Sequence, residues 1–144
     1  MLSLFVVALA SATLLPGGSE LWLARLWCLG EPVLLLWLVA TTGNAIGSLV
    51  NVGLGRYARR FQQRRWFPVS QAALARAERW YARFGEVSLL LSWVPLIGDP
   101  LTVIAGVLRL PWWRAAFWIL LAKGGRYLLV LWLAESWLLP LCSR

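Results

Sequence analysis

Four ionisable side chains, Glu20, Asp99, Lys123 and Arg126, lie in stretches of sequence that are otherwise apolar. A charge at bilayer depth costs about 2.5–3.5 kcal/mol on insertion scales, so each must be paired, reach the interface or serve a function. Lys123 and Arg126 are three residues apart, a spacing that directs both toward one side of a helix. Glu20 and Asp99 could neutralise them, giving a carboxylate and cation cluster that exchanges protons and attracts an anionic headgroup. Hydrolysis has little support: the chain contains no histidine, and neither Ser19 nor Cys28 has a base nearby in sequence. The chain is therefore read as a non-enzyme, with no metal and no cofactor. Cys28 and Cys142 are too far apart in sequence for a metal motif, and both are read as apolar filler.

The two carboxylates occur at interruptions of apolar segments, "LLPGGSE" at 14–20 and "PLIGDPLT" at 95–102. Gly18-Ser19-Glu20-Leu21 aligns without gaps over Gly98-Asp99-Pro100-Leu101. In each break a glycine is expected to end one half-helix and Ser19 or Asp99 to cap the next, with Glu20 or Pro100 at the first helical position. Pro16, Gly17 and Pro95 complete the breaks. Backbone groups freed there cannot face lipid and must be buried in protein or line a wet cavity. The N–H groups of the new half-helices would draw anions to the same place.

These breaks must be held by a membrane scaffold. Of 144 residues, 60% are hydrophobic and 14% charged, against about 25% charged in ordinary soluble domains. Four apolar segments fill a single membrane domain, 1–144. The first half, 1–55, has a broken segment at 2–29 and an unbroken one at 33–54; the second, 87–144, has a broken segment at 87–108 and an unbroken one at 112–139. The unbroken pair are long enough to span. Each broken segment is either a re-entrant hairpin or a discontinuous span; four ordinary spans with proline kinks are the alternative. The opening residues carry no basic residue ahead of their apolar run, which argues against a cleaved signal peptide.

Between the halves, eight basic residues from Arg56 to Arg83 face one acid, Glu78. Flanked by apolar segments, this 56–86 linker belongs in the cytoplasm under the positive-inside rule rather than on nucleic acid. Re-entrant hairpins would then enter from opposite sides, making an inverted-topology repeat. Within the linker a helix is expected over 71–84, capped by Ser70 and ended by Gly85, with Leu74, Ala77, Tyr81 and Phe84 on one face. Arg76, Arg79 and Arg83 on the other face, and Arg56 at the linker's start, suit lipid headgroups or simple interfacial anchoring. In 33–54, Gly43 and Gly47 permit close helix contact, while Asn44, Ser48 and Asn51 form a polar stripe able to satisfy backbone at a break. The fold expected is an all-α membrane protein with two re-entrant hairpins, two long transmembrane helices and a cytoplasmic amphipathic helix.

"TLLPGGSE", "GNAIGSLVNVGLGR" and "WYARFGEVSLLLSWVPLIGDPLTVIAGVLRLPWWRAAFWILLAKGGRY" together resemble the YqaA branch of the DedA family, bacterial relatives of SNARE-associated Golgi and VTT-domain proteins. The likeness runs from about Thr13 to Tyr127. It implies an inner-membrane location, two re-entrant hairpins and transport or scrambling of lipids, with undecaprenyl phosphate and phosphatidylethanolamine as substrates proposed for bacterial members. Pro16 and Glu20 match the family's early hairpin proline and acid, Gly43 to Arg56 its glycine-rich helix, and Pro95 its second hairpin proline. Better characterised members commonly carry arginines around that second proline. This chain has Ser92 and Asp99 instead, so its cations would come from Lys123 and Arg126.

Two functions follow from these readings. One is a transporter, flippase or scramblase for a lipid or lipid-linked anion, coupled to protons through Glu20 and Asp99. The other is a non-transporting factor that organises membrane lipid or binds a partner. Self-association into a dimer would supply protein around the two hairpins.

Overall fold

The computed structural model describes residues 1–12, 18–61, 71–94 and 98–137. Pro16, Gly17, Ser70, Pro95 and the end of the last expected helix lie outside them. The described residues are helical, with no strand among them. The elements are α1 (Leu2–Ser11), α2 (Gly18–Cys28), α3 (Val33–Ala58), α4 (Gln71–Phe84), a 3₁₀ arm (Gly85–Trp93), α5 (Gly98–Val107) and α6 (Trp112–Trp137). A 3₁₀ turn, Arg59–Phe61, extends α3. The stretches Val33–Phe61 and Trp112–Ser136 are long and apolar enough to cross a membrane.

α1 and α2 are only 10 and 11 residues long. α2 folds back along α1. Ser19 N donates to Ser11 Oγ at 3.2 Å near the break, and Trp22 Nε1 donates to Ser3 Oγ at 3.3 Å further along. The 3₁₀ arm and α5, 9 and 10 residues, also pack together, with Gly98 N donating to Val94 O at 2.9 Å. A 3₁₀ run of nine residues is longer than usual, and nothing in the hydrophobic pattern distinguishes it from an α-helix.

α3 is the central strut, packing against α1, α5 and α6. Small residues set its distances. A Cβ on Gly43 would lie 2.8 Å from Phe5 O, and one on Gly55 or Gly106 would collide with the backbone of the facing helix, at Val103 and Val52 respectively. Glycine at these crossings lets helix backbones approach as they do at other close membrane-helix contacts.

Side chains gather into two apolar cores. One joins α1, α2, α3 and α6 through Leu4, Leu23, Leu36, Ala40, Tyr127 and Leu131. The other joins α3, α4, α5, α6 and the 3₁₀ arm through Val52, Tyr81, Leu89, Ala105 and Ile119. α1 and α2 thus contribute to one core, the 3₁₀ arm and α5 to the other, and the two long helices run through both.

α4 spans the residues expected of it, and Gly85, at φ 66°, supplies the left-handed residue that ends it. Tyr81 is buried and donates to Leu101 O at 3.1 Å, tying α4 to α5. Burial pushes its hydroxyl up to about 12, so it remains a donor.

Candidate functional site

The site lies where the two cores meet. On α6, Ile119 belongs to one core and Tyr127 to the other, with Lys123 and Arg126 between them. On α3, Thr41 and Asn44 fall between Ala40 in one core and Ala45 in the other. Both long helices therefore turn polar near their middles.

Glu20, in the first turn of α2, accepts from Arg126 Nε at 2.6 Å and also pairs with Arg126 Nη2. Their side chains are 30% and 11% exposed. Asp99, in the first turn of α5, has Oδ1 3.7 Å from Lys123 Nζ, and the lysine side chain is only 2% exposed. The two breaks thus deliver one carboxylate each to the same helix, to cations three residues apart. The contacts differ in kind. The first is a charge-assisted hydrogen bond. The second lies beyond hydrogen-bond reach, and Asp99 Oδ1 is buried without a hydrogen-bond partner.

The polar stripe on α3 serves the first hairpin. Asn44 Nδ2 donates to Ala8 O at 3.1 Å and Asn51 Nδ2 to Ala12 O at 2.8 Å, so both amides hold the C-terminal part of α1. Ser48 is fully buried, and Ser48 Oγ, Thr41 Oγ1, Asn44 Oδ1 and Ser92 Oγ have no hydrogen-bond partner. Buried polar atoms of this kind call for water or a ligand.

The expected capping of the breaks is corrected. Gly18 and Gly98 are the first residues of α2 and α5 rather than the last of the preceding halves. Ser19 therefore sits inside the first turn, where its hydroxyl accepts from Tyr127 Oη at 2.8 Å, and Ser11 of α1 takes over as acceptor for the orphan N–H of α2. Asp99 offers its main-chain oxygen to Thr102 Oγ1 at 2.7 Å. Ser11, Thr41, Ser92 and Tyr127 are thus members of the polar layer that spacing did not single out. Tyr127 carried the best signal, as the immediate neighbour of Arg126.

Arg56 is drawn inward. Its Nη2 donates to Leu110 O, its guanidinium lies 4.7 Å from the Trp112 ring centre, and Arg59 Nη1 donates to Val107 O at 2.7 Å. These cations satisfy carbonyls at the C-terminal end of α5, where the helix dipole favours positive charge. Arg76, Arg79 and Arg83 are exposed on α4, apart from the polar layer. Cys28 is disulfide-bonded, which corrects its reading as apolar filler. Among the described residues no cluster of potential metal ligands occurs.

Residues 4–136 match the VTT domain. The chain is 41% identical over 132 residues to the inner membrane protein YqaA of Escherichia coli K12, covering 90% of this chain and 87% of that protein. It is 37% identical over 144 residues to an uncharacterised protein of Haemophilus influenzae, covering 94% and 88% of the two chains. No solved structure matches it.

Proposed function

The chain belongs to the VTT-domain (DedA) family, and from that premise we propose that it moves a lipid or lipid-linked anionic substrate across the bacterial inner membrane. The observation that carries this reading is the convergence of Glu20 and Asp99, one from each broken segment, on Lys123 and Arg126 in the middle of α6. A bare scaffold gains little from two ion pairs whose cations are largely buried, because desolvation offsets much of their attraction.

Short arms support re-entrant hairpins. At 1.5 Å per residue, α1, α2 and α5 are each about 15 Å long, half of a roughly 30 Å hydrocarbon core. With the basic linker in the cytoplasm, the first hairpin enters from the outer side and the second from the inner side. The disulfide at Cys28 favours the same orientation, since disulfides persist on the oxidising side of the membrane.

The pairs would divide the work. A lysine can pass its proton to a carboxylate and leave a neutral pair, whereas an arginine keeps its charge. Asp99–Lys123 is then the exchanging pair and Glu20–Arg126 the latch that holds α2 to α6. Protein reconstituted in liposomes should move a labelled anionic lipid, with loss in E20Q, D99N and R126Q variants that remain folded. An absence of movement across a broad panel of lipids and lipid-linked anions would overturn the reading.

A further inference from the structure

Between the 3₁₀ arm and α6 runs an open groove of about 320 Å³. Leu90 and Trp93 form one wall, and Leu121, Gly125 and Leu129, recurring every four residues, form the other. Among the described residues Arg126 is the single charged one lining it. A guanidinium beside an apolar groove that opens toward lipid is costly unless something meets it. Glu20 meets it through Nε and Nη2, on one edge. Arginine offers five donors, so one carboxylate does not exhaust it.

We propose that this groove is a lateral binding site for an amphiphile, with an apolar tail along Leu121, Gly125 and Leu129 and an anionic head on Arg126. The proposal rests on the transport reading above and names the port by which substrate reaches the polar layer from the bilayer. Charge complementarity selects the occupant. A neutral tail would fill the walls and leave unanswered the guanidinium donors that Glu20 does not take, while a free anion would have no use for the walls. The volume is at the small end of ligand sites, which suits one chain better than two.

Gly125 makes the groove testable without disturbing the ion pairs. A Cβ built on it meets nothing within 4 Å, whereas one on the adjacent Gly124 would lie 3.3 Å from Trp37. Replacing a mid-helix glycine also favours the helix. Gly125→Leu and Gly125→Trp should therefore fold while blocking the groove, and Gly53→Leu, in a separate groove of α3, serves as the control.

The experiment is photolabelling of purified full-length protein in neutral-lipid nanodiscs with a diazirine-bearing dodecyl phosphate, mapped by peptide mass spectrometry. A neutral dodecyl glycoside with the same tail and excess inorganic phosphate form the other arms. The expected result is labelling at Leu90, Trp93, Leu121 or Leu129 that falls at least tenfold in Gly125→Trp and in R126Q, persists in Gly53→Leu, exceeds that of the glycoside and resists inorganic phosphate. Equal labelling by glycoside and phosphate amphiphile, competition by inorganic phosphate, or undiminished labelling in Gly125→Trp would each overturn it. Binding is read directly, so a port that fails while transport persists is distinguished from a transport reading that fails while the groove still binds.

Discussion

The two short helices that follow the breaks, α2 and α5, are secured differently. The first, α2, rests lightly on α3 and α6, and its carboxylate is held close by Arg126. The second, α5, is pressed against α3 through Gly55 and Gly106, and its carboxylate stands 3.7 Å from Lys123. Where the backbone is loosely seated, the charges do the fastening. Where glycines seat it firmly, the carboxylate is left without a hydrogen bond on its buried oxygen. The two breaks thus carry one latched and one unlatched ion pair.

Removing the seat of the second half should have the largest effect. Gly106→Leu drives a side chain into the Val52 carbonyl, where no flexible end can yield. Overpacking against backbone is expected to cost about 3 kcal/mol or more, seen as failure to accumulate in membranes or as early unfolding in detergent.

The latch should come next. E20Q leaves a permanently charged, largely buried guanidinium without its carboxylate, and a hydrogen bond to a charged group contributes about 1.5–3 kcal/mol. D99N leaves a lysine that can shed its proton, and no hydrogen bond is lost from Oδ1. Denaturation in matched micelles should show E20Q destabilised by about 2 kcal/mol and D99N by less. Equal losses would remove the distinction between the pairs.

The smallest effect is a gain. The turn after α2 uses Gly30 at φ 85°, whereas the turn after α5 uses Arg109 at φ 58°. Left-handed backbone costs a non-glycine residue about 1 kcal/mol, and Arg109 is exposed. R109G should raise stability by up to about that amount in the same assay.

Much of this arrangement was legible from local pattern. The long apolar runs gave α3 and α6, the Pro/Gly interruptions gave the broken segments, and the helix expected over 71–84 is α4, ended by Gly85. The charges at depth marked Glu20, Asp99, Lys123 and Arg126 because apolar surroundings make charge conspicuous. What stayed hidden depends on folding back. Ser11 becomes the acceptor for Ser19 N only when α2 returns along α1, and Tyr127 meets Ser19 across 108 residues. The bond from Arg56 to Leu110 O was equally hidden, because its acceptor lies 54 residues further along the chain. The glycines at 55 and 106 carry no mark of each other in the sequence, yet they decide how deeply the second hairpin is seated.

The central claim is that the two hairpins enter from opposite faces and deliver their carboxylates to one helix. Single cysteines at Glu31 and Arg109, in a background with Cys28 and Cys142 replaced by serine and shown to remain folded, can be labelled with a membrane-impermeant maleimide from either side. Position 31 should react only from the outer side and position 109 only from the cytoplasmic side. Reaction of both from the same side would contradict the opposed hairpins and the meeting of their carboxylates at mid-membrane.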